Sequence, residues 1–375
     1  MNSPQSSATL RAAFFSDAVP DRNGVGTYYK DLCDHLADRI ERVELFCPQV
    51  TPDGWRDPIR LPLPGDATQK VCIPNPREIY RRFAELQPHA IVLSTPAPYG
   101  LIGLRLARKH DLPVVFGFHT HFEKLTDLYW KDSRYTGRLF RRYLEGMHRM
   151  MFRHAGKVLA NSGEMVEIAR RIGARDPELM GTTIAHPFVQ RPVSPLREKL
   201  QTVVFAGRLA AEKNIEHVIA AAAALPQICF RIVGDGPQHE LVAAAAGRME
   251  NLTYAGWVAR EQMPQVIDDG DMLVLPSQVE SFGTIALEAM TRGRTVLVSA
   301  DCGITQWPQL SPGLFRIGAD EELHAAIARV ASLDPALRRQ KAELGRQAAL
   351  ALNEWTVNHW IKVLMPAAGR TVEHG

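Results

Sequence analysis

Short apolar runs alternate with stretches of helical period along the first half of the chain. Residues 10–15 and 43–47 are apolar runs on either side of a helix predicted for 26–37. The alternation then repeats: a helix at 76–86 precedes the run 91–94, a helix at 101–109 precedes 114–118, and a long helical stretch precedes 157–160. Apolar runs between amphipathic helices are what βαβ units produce, because a parallel sheet is covered on both faces and has no polar side. The first half is therefore predicted to be a Rossmann-like α/β domain.

Between 185 and 196 the chain carries Pro187, Pro192 and Pro195 without periodicity, which predicts a connecting segment and puts a domain boundary near Val193. A second βα series follows, with strands predicted at 202–206, 229–233, 252–254, 272–275 and 295–298. The expected organisation is two Rossmann-like domains in tandem, 1–193 and 194–354, with a final helix and tail at 355–375. The helical pattern at 355–366 places Trp360, Val363 and Leu364 on one side, and by that pattern alone it can pack outside the second sheet. Short internal repeats and low-complexity tracts are absent.

Composition agrees with two folded domains in 375 residues, since 46% hydrophobic and 23% charged residues exclude a disordered or fibrous chain. Lysine and arginine total 44 against 41 acidic residues, too small a surplus to predict nucleic-acid binding. Cys33, Cys47, Cys72, Cys229 and Cys302 are scattered and odd in number, which points to a reducing, cytoplasmic setting. Residues 1–9 are polar, read as a disordered leader without signal-peptide character, and no apolar run is long enough to span a bilayer. Membrane contact, if any, is expected to be peripheral.

The candidate chemistry lies at the ends of predicted strands. After the strand 272–275, a polar loop carries Glu280-Ser281-Phe282-Gly283, and a helix starts near Thr284 with Glu288 one turn inside. A helix N-terminus has unpaired N–H groups and a positive end, so it suits an anionic phosphate. The two carboxylates suit vicinal hydroxyls of a sugar or a ribose. An isolated pair at this spacing reads more readily as a cap and a solvated helix face. After the strand 202–206, Gly207 permits close backbone approach, and Arg208 and Lys213 supply two cations fit for a diphosphate, or else a solvated loop.

Other motifs are less specific. Gly234-Asp235-Gly236 lacks the third glycine of a dinucleotide fingerprint. Asn23-Gly24-Val25-Gly26 opens the first helix and exposes amide donors, or is a plain strand–helix turn. His119-Thr120-His121 follows a buried strand at the carboxyl edge of its sheet, and no third ligand accompanies the two histidines as zinc would require. Asp269-Gly270-Asp271 has the Asp-x-Asp form of some metal sites, but Asp271 directly precedes a strand and is read as structural. Residues 137–154 form a basic amphipathic helix. Leu139, Phe140, Tyr143, Leu144, Met147, Met150 and Met151 lie on one side, and Arg138, Arg141, Arg142, Arg149 and Arg153 on the other. It can pack on the sheet, rest on anionic lipid, or do both.

Read with the preceding strand 271–277 and with Leu287-Glu288-Ala289-Met290, the loop Glu280-Ser281-Phe282-Gly283 resembles the donor site of family 4 retaining glycosyltransferases of GT-B fold, the glycosyl transferases group 1. The resemblance implies two Rossmann-like domains facing a cleft and a last helix that crosses back to the first domain. It implies a nucleotide-sugar donor, UDP-linked most commonly, a hydroxyl acceptor, and neither a metal nor a further cofactor; a lipid acceptor fits the basic helix, and a nascent surface glycan or a small metabolite stays open. By resemblance Glu280 contacts the transferred sugar and Glu288 the ribose. Arg208 and Lys213, with Gly207 and the Ser281–Thr284 loop, hold the diphosphate, Val258 meets the base, Gly24 lies near the donor phosphate or acceptor, and His119 faces the sugar. The chain departs from the family where a Pro-Val-Val strand and paired glycine give way to Arg294-Thr295-Val296 and Asp301-Cys302-Gly303-Ile304. The usual Pro-Asn-Gly linker is replaced as well, by Ala185-His186-Pro187. Rival readings of the same residues are a non-catalytic nucleotide-sugar-binding protein and a dinucleotide oxidoreductase resting on Gly234–Gly236.

Overall fold

The central strands of both halves are apolar on both faces, as buried parallel strands must be. The computed structural model describes residues 9–20, 24–51, 54–55, 59–63, 66–119 and 134–368. Its strands are β1 (Arg11–Phe15), β2 (Arg42–Phe46), β3 (Val50–Thr51), β4 (Gly54–Trp55), β5 (Ile59–Leu63), β6 (Asp66–Ile73), β7 (Ala90–Leu93) and β8 (Val114–Phe118). There follow β9 (Lys157–Ala160), β10 (Glu178–Leu179), β11 (Thr202–Ala206), β12 (Cys229–Val233), β13 (Leu252–Tyr254), β14 (Met272–Leu275), β15 (Thr295–Val298) and β16 (Leu314–Arg316). Every residue of β7, β8, β14 and β15 is buried.

Two six-stranded parallel sheets result, in the orders β10-β9-β8-β7-β1-β2 and β13-β12-β11-β14-β15-β16. The protein is α/β with two Rossmann-like sheets. Chain direction across each sheet reverses once, between β1 and β7 in the first and between β11 and β14 in the second. Such switch points open a crevice at the carboxyl ends of the strands, where ligands bind in folds of this kind. One compact unit holds the chain up to Thr183 together with the segment from Glu354, and the other holds Ile184–Asn353.

Period-two alternation sorts the first core into two layers. Ala13 and Phe15 pack with Phe46, Ile79 and Phe83, the Phe15 and Phe46 rings stacking at 4.6 Å, whereas Ala12 and Phe14 face Tyr29, Leu32 and Trp360. Trp360 belongs to the last helix, which runs from Pro335 to Ala368 and so begins well before the predicted 355. The Trp360 indole N–H donates to the Tyr28 hydroxyl at 2.7 Å, and Arg39 pairs with Glu354 at 2.7 Å. The apolar side of this segment therefore packs in the first unit and not outside the second sheet, because an indole needs an apolar bed with a polar partner for its N–H.

The proline-rich segment is also ordered differently from its reading as a bare connection. It contains the short helix His186–Gln190 and is pinned by two buried arginines of the second unit. Arg292 forms a two-pronged pair with Asp268 at 2.9 and 2.6 Å and donates to the carbonyls of Phe188, Arg191 and Pro192 at 3.1, 2.6 and 2.5 Å. Arg294 donates to the Ser194 carbonyl. Prolines supply carbonyls without competing N–H groups, so a guanidinium fork can satisfy a turn that has no regular ladder. The antiparallel pair of β5 with β6, and strands β10 and β16, had no prediction in the sequence reading.

The basic helix runs from Arg134 to His154. Its second half packs on the first sheet through buried His148, Met151 and Phe152, with Leu144 and Met150 at the margin. Leu139 and Tyr143 do not join that face; they are 62% and 59% exposed beside exposed Arg138 and Arg142. The side drawn as continuously apolar thus divides lengthwise. Among the described residues no helix is long and apolar enough to cross a membrane.

Candidate functional site

At the switch point of the second sheet, the loops that leave β11 and β14 are fastened to each other. Gln278 N–H donates to the Glu212 carbonyl at 2.9 Å and the Asn214 amide to the Pro276 carbonyl at 2.9 Å. This brings Lys213 to Glu280, whose side chains form a direct ion pair with each 19% exposed or less. Burial works against the Lys213 ammonium, but the charge and hydrogen bond of Glu280 outweigh it and hold the pKa above the ordinary lysine range. Arg208, half-buried, lies 3.7 Å from the buried Glu212 carboxylate.

The Arg208 loop rests on the glycine turn after β12. Leu209 N–H donates to the Asp235 carbonyl at 2.9 Å, and a Cβ at Gly234, which has φ +137°, would lie 1.8 Å from the Gly207 carbonyl. The glycines that suggested a dinucleotide motif are used for this close approach. Exposed Gly207 leaves its own outer side open.

Gly283, with φ +98°, caps the helix Thr284–Thr291 and contributes no side chain to its first amides. A Cβ there would meet the Cys302 sulfur at 2.8 Å. The loop before it is braced from β15: Gly303 N–H donates to the Glu280 carbonyl at 2.9 Å and Ile304 N–H to the Phe282 carbonyl at 2.6 Å. Phe282 is buried with its ring edge-on to Trp307 at 5.9 Å. Its side chain and carbonyl belong to the scaffold, while Ser281 and Thr284 remain half-buried around the helix start. The segment 301–304, where the chain departs from its family pattern, is thus the brace of the loop.

Glu288 is 2% exposed, and the Arg260 guanidinium donates to its Oε1 at 2.9 Å. Burial lifts its pKa above the ordinary carboxylate range and Arg260 opposes that rise. Val258 sits half-buried two residues before Arg260, next to Trp257, which is 62% exposed. Asp271 accepts the N–H groups of Gln201 and Thr202 at 2.9 and 3.0 Å and has Arg197 at 3.3 Å, which makes it a clamp on the start of β11.

The first unit holds the remaining candidates. His119, 7% exposed, directly follows β8, and its Nε2 shares a 2.8 Å hydrogen bond with the Tyr29 hydroxyl. The Tyr28 and Tyr29 rings meet the imidazole edge-on at 4.7 and 4.9 Å. Burial depresses its pKa to about 3, so the ring is neutral at physiological pH. Gly24 is exposed at the first position of the helix Gly24–Ala37. Asn23 and His121 lie outside the described residues. At this sheet's switch point the Asp17 carboxylate accepts from Tyr99 N–H at 2.8 Å, Gly100 N–H at 3.2 Å and the Thr95 hydroxyl at 2.6 Å. The first turn of the helix Pro98–Lys109 therefore already holds an anion.

Residues 188–347 match the glycosyl transferases group 1 and residues 22–179 match Glycosyltransferase Family 4. The chain belongs to the glycosyl transferases group 1. It is 31% identical over 169 residues to alpha-D-kanosaminyltransferase from Streptomyces kanamyceticus, a match that covers 39% of this chain and 44% of that relative. The chain thus matches less than half the length of that curated relative. In fold it is similar to sucrose-phosphate synthase from Thermosynechococcus elongatus, with a TM-score of 0.68 at 20% identity over 94% of this chain and 98% of that one. It is similar also to Anabaena HepE in complex with UDP-glucose, with a TM-score of 0.66 at 17% identity over 93% and 99%. The fold is GT-B.

For a glycosyl transferase of this group, the structure adds residues that sequence reasoning passed over. Arg260, Glu212 and Tyr29 touch three of the candidate residues, yet each looks in sequence like an ordinary polar side chain. The one available signal was that Glu288 falls on a helix with apolar neighbours on both sides, Leu287 and Ala289, and a carboxylate buried there requires a cation from elsewhere.

Proposed function

We propose that the protein is a retaining glycosyltransferase that moves a sugar from a UDP-linked nucleotide sugar to a hydroxyl acceptor. The observation that carries the reading is the Lys213–Glu280 pair at the second switch point, which joins the loop of Arg208 to the loop that leads into the helix start at Gly283, a cap without a side chain. Two cations and open amides suit a diphosphate, and carboxylates on either side of it suit a sugar and a ribose. In this reading Arg208, Lys213 and the amides near Gly283 and Thr284 hold the diphosphate. Gly207 allows its approach, Glu280 orients the sugar, Glu288 holds the ribose and the backbone at Val258 meets the base. The UDP-glucose bound by Anabaena HepE supports the choice of nucleotide.

The sugar C1–O bond to phosphate breaks while a new C1–O bond forms to the acceptor oxygen. The acceptor proton passes to the departing phosphate oxygen on the same face, so no side-chain nucleophile is needed and the anomeric configuration is kept. Positive charge grows at the sugar and negative charge on the leaving diphosphate. Arg208 and Lys213 stabilise the latter, the task a metal ion performs in other designs. The first unit takes the acceptor; in this reading Gly24 lies near the donor phosphate or acceptor, and a neutral His119 faces the transferred sugar.

Exposed Leu139 and Tyr143 beside Arg138 and Arg142 support a lipid acceptor presented at an anionic membrane surface, with the enzyme peripheral to it. Radiolabelled nucleotide sugars test the main reading: Arg208→Ala and Glu280→Ala should each abolish measurable transfer, and full transfer in both would exclude the site. Proton NMR of the product should show the donor's anomeric configuration. Flotation with anionic liposomes should weaken when Arg138 and Arg142 become Gln, and indifference would remove the membrane from the proposal.

A further inference from the structure

We infer that Arg260 is the positioning residue for ribose recognition, aiming the Glu288 carboxylate so that the donor's ribose hydroxyls are read. The inference rests on the assignment of Glu288 to the ribose made above. Glu288 lies in the helix Thr284–Thr291 between Leu287 and Ala289, both wholly buried, and is itself 2% exposed. A carboxylate in such surroundings favours its neutral form unless a cation accompanies it. A protonated carboxyl accepts fewer hydrogen bonds and presents a donor where a hydroxyl also needs an acceptor.

Arg260 supplies that cation with a defined direction. Its terminal nitrogen reaches Glu288 Oε1 at 2.9 Å, and its guanidinium carbon lies 5.6 Å from the centre of the Phe188 ring. The side chain is 16% exposed, so the pair is poorly screened and the arginine stem is packed. The ring restricts the plane of the guanidinium, and the guanidinium restricts the carboxylate. One carboxylate oxygen is then engaged by the arginine, and the other edge is left to hydroxyl donors. Arg260 also opens the turn Arg260–Gln262, two residues after Val258. The residue that fixes the ribose carboxylate is thus tied by a short backbone to the segment assigned to the base, so base and ribose are read by one connected piece of chain.

The test is the binding of UDP and of 2′-deoxy-UDP to the full chain by calorimetry. Wild type should prefer UDP by about tenfold, the size of a hydrogen bond to a charged group. Arg260→Gln should reduce that preference to less than twofold and leave the affinity for inorganic pyrophosphate unchanged. Arg260→Lys should restore part of it, and Arg260→Met keeps the stem against Phe188 and serves if the glutamine variant does not fold. In turnover the donor KM should rise while kcat stays within threefold. An undiminished UDP preference in both Arg260→Gln and Arg260→Met, with the preference lost in Glu288→Gln, would make the ion pair merely structural and overturn the inference alone. Equal binding of UDP and 2′-deoxy-UDP by wild type, or a preference that survives Glu288→Gln, would overturn the ribose assignment and this inference with it.

Discussion

The two sheets offer the same opening at their switch points, and the chain fills one and leaves the other. In the first unit Asp17 places its carboxylate on the N–H groups of Tyr99 and Gly100, and His119, after β8 of the same sheet, is buried and neutral. In the second unit the corresponding helix starts after Gly283 without a side-chain cap, and the loop that carries Arg208 and Lys213 is fastened to the loop before it. A helix start lacking a covalently attached anion has donors to give to a ligand, and one that holds its own carboxylate does not. Equal topology therefore does not mean equal chemistry, and what separates the halves is the identity of a few residues after the strands.

The contrast breaks most visibly at Lys213. Lys213→Ala should lower donor turnover by roughly a thousandfold, comparable to removing a transition-state charge stabiliser, as measured with radiolabelled donor. A loss under tenfold would mean that the second switch point is no more a phosphate site than the first.

Acid should separate the units by stability. His119 and His148 have folded pKa values near 3 and 4, each depressed by burial below the unfolded value, so the unfolded chain binds more protons between those values and about 6.5. Their contribution is intact above the unfolded pKa and is lost as pH falls, on the order of 2 kcal/mol each by pH 5. Glu288 has the opposite sign: its folded pKa is raised, so protonation on acidification favours the folded second unit. Hydrogen exchange at pH 7 and pH 5 should show the first unit opening first, and equal loosening of both would contradict the difference.

Asp17→Ala should destabilise the first unit by about 1.5–3 kcal/mol, since two helix amides and a hydroxyl lose a charged acceptor, and denaturant midpoints read by hydrogen exchange would show it. Gly283→Ala should have the smallest effect, about 1–2 kcal/mol of strain from a positive φ and the crowded Cys302 sulfur, seen as a lower melting temperature. Should the alanine variant melt as wild type does, the loop is more pliant than its brace of Gly303 and Ile304 suggests.

The fold was legible because buried parallel strands announce themselves as short apolar blocks, and β8, β9, β11, β12, β13, β14 and β15 fall at their predicted bounds. The candidate chemistry was legible where glycines and charges follow such blocks, as at Gly207-Arg208 and Glu280-to-Gly283. What escaped were pairings made across long stretches of chain. Asp17 with Tyr99, Arg260 with Glu288, and Arg292 with the carbonyls of Phe188 to Pro192 have no local pattern, because each partner alone is an ordinary polar residue. Periodicity alone left Trp360 undecided, because it identifies an apolar stripe but not which of two similar sheets receives it; the resemblance carried the last helix back to the first domain, and there it packs. The β5–β6 pair, with its register shift at Pro62/Leu63, lacks the regular alternation that identifies a strand.

Arg292 sets a rule for anyone who would cut or graft this protein. Its guanidinium is wholly buried, and three of its acceptors are carbonyls between Phe188 and Pro192, upstream of the boundary that the prolines suggest. A second unit excised from Val193 would keep the cation and lose those acceptors, and it is expected to be insoluble or unfolded. One begun at Ile184, whose N–H donates to Asn353 at 2.8 Å, retains every one of them and closes on its own last residue. The seam for exchanging donor units between relatives therefore lies ahead of the prolines.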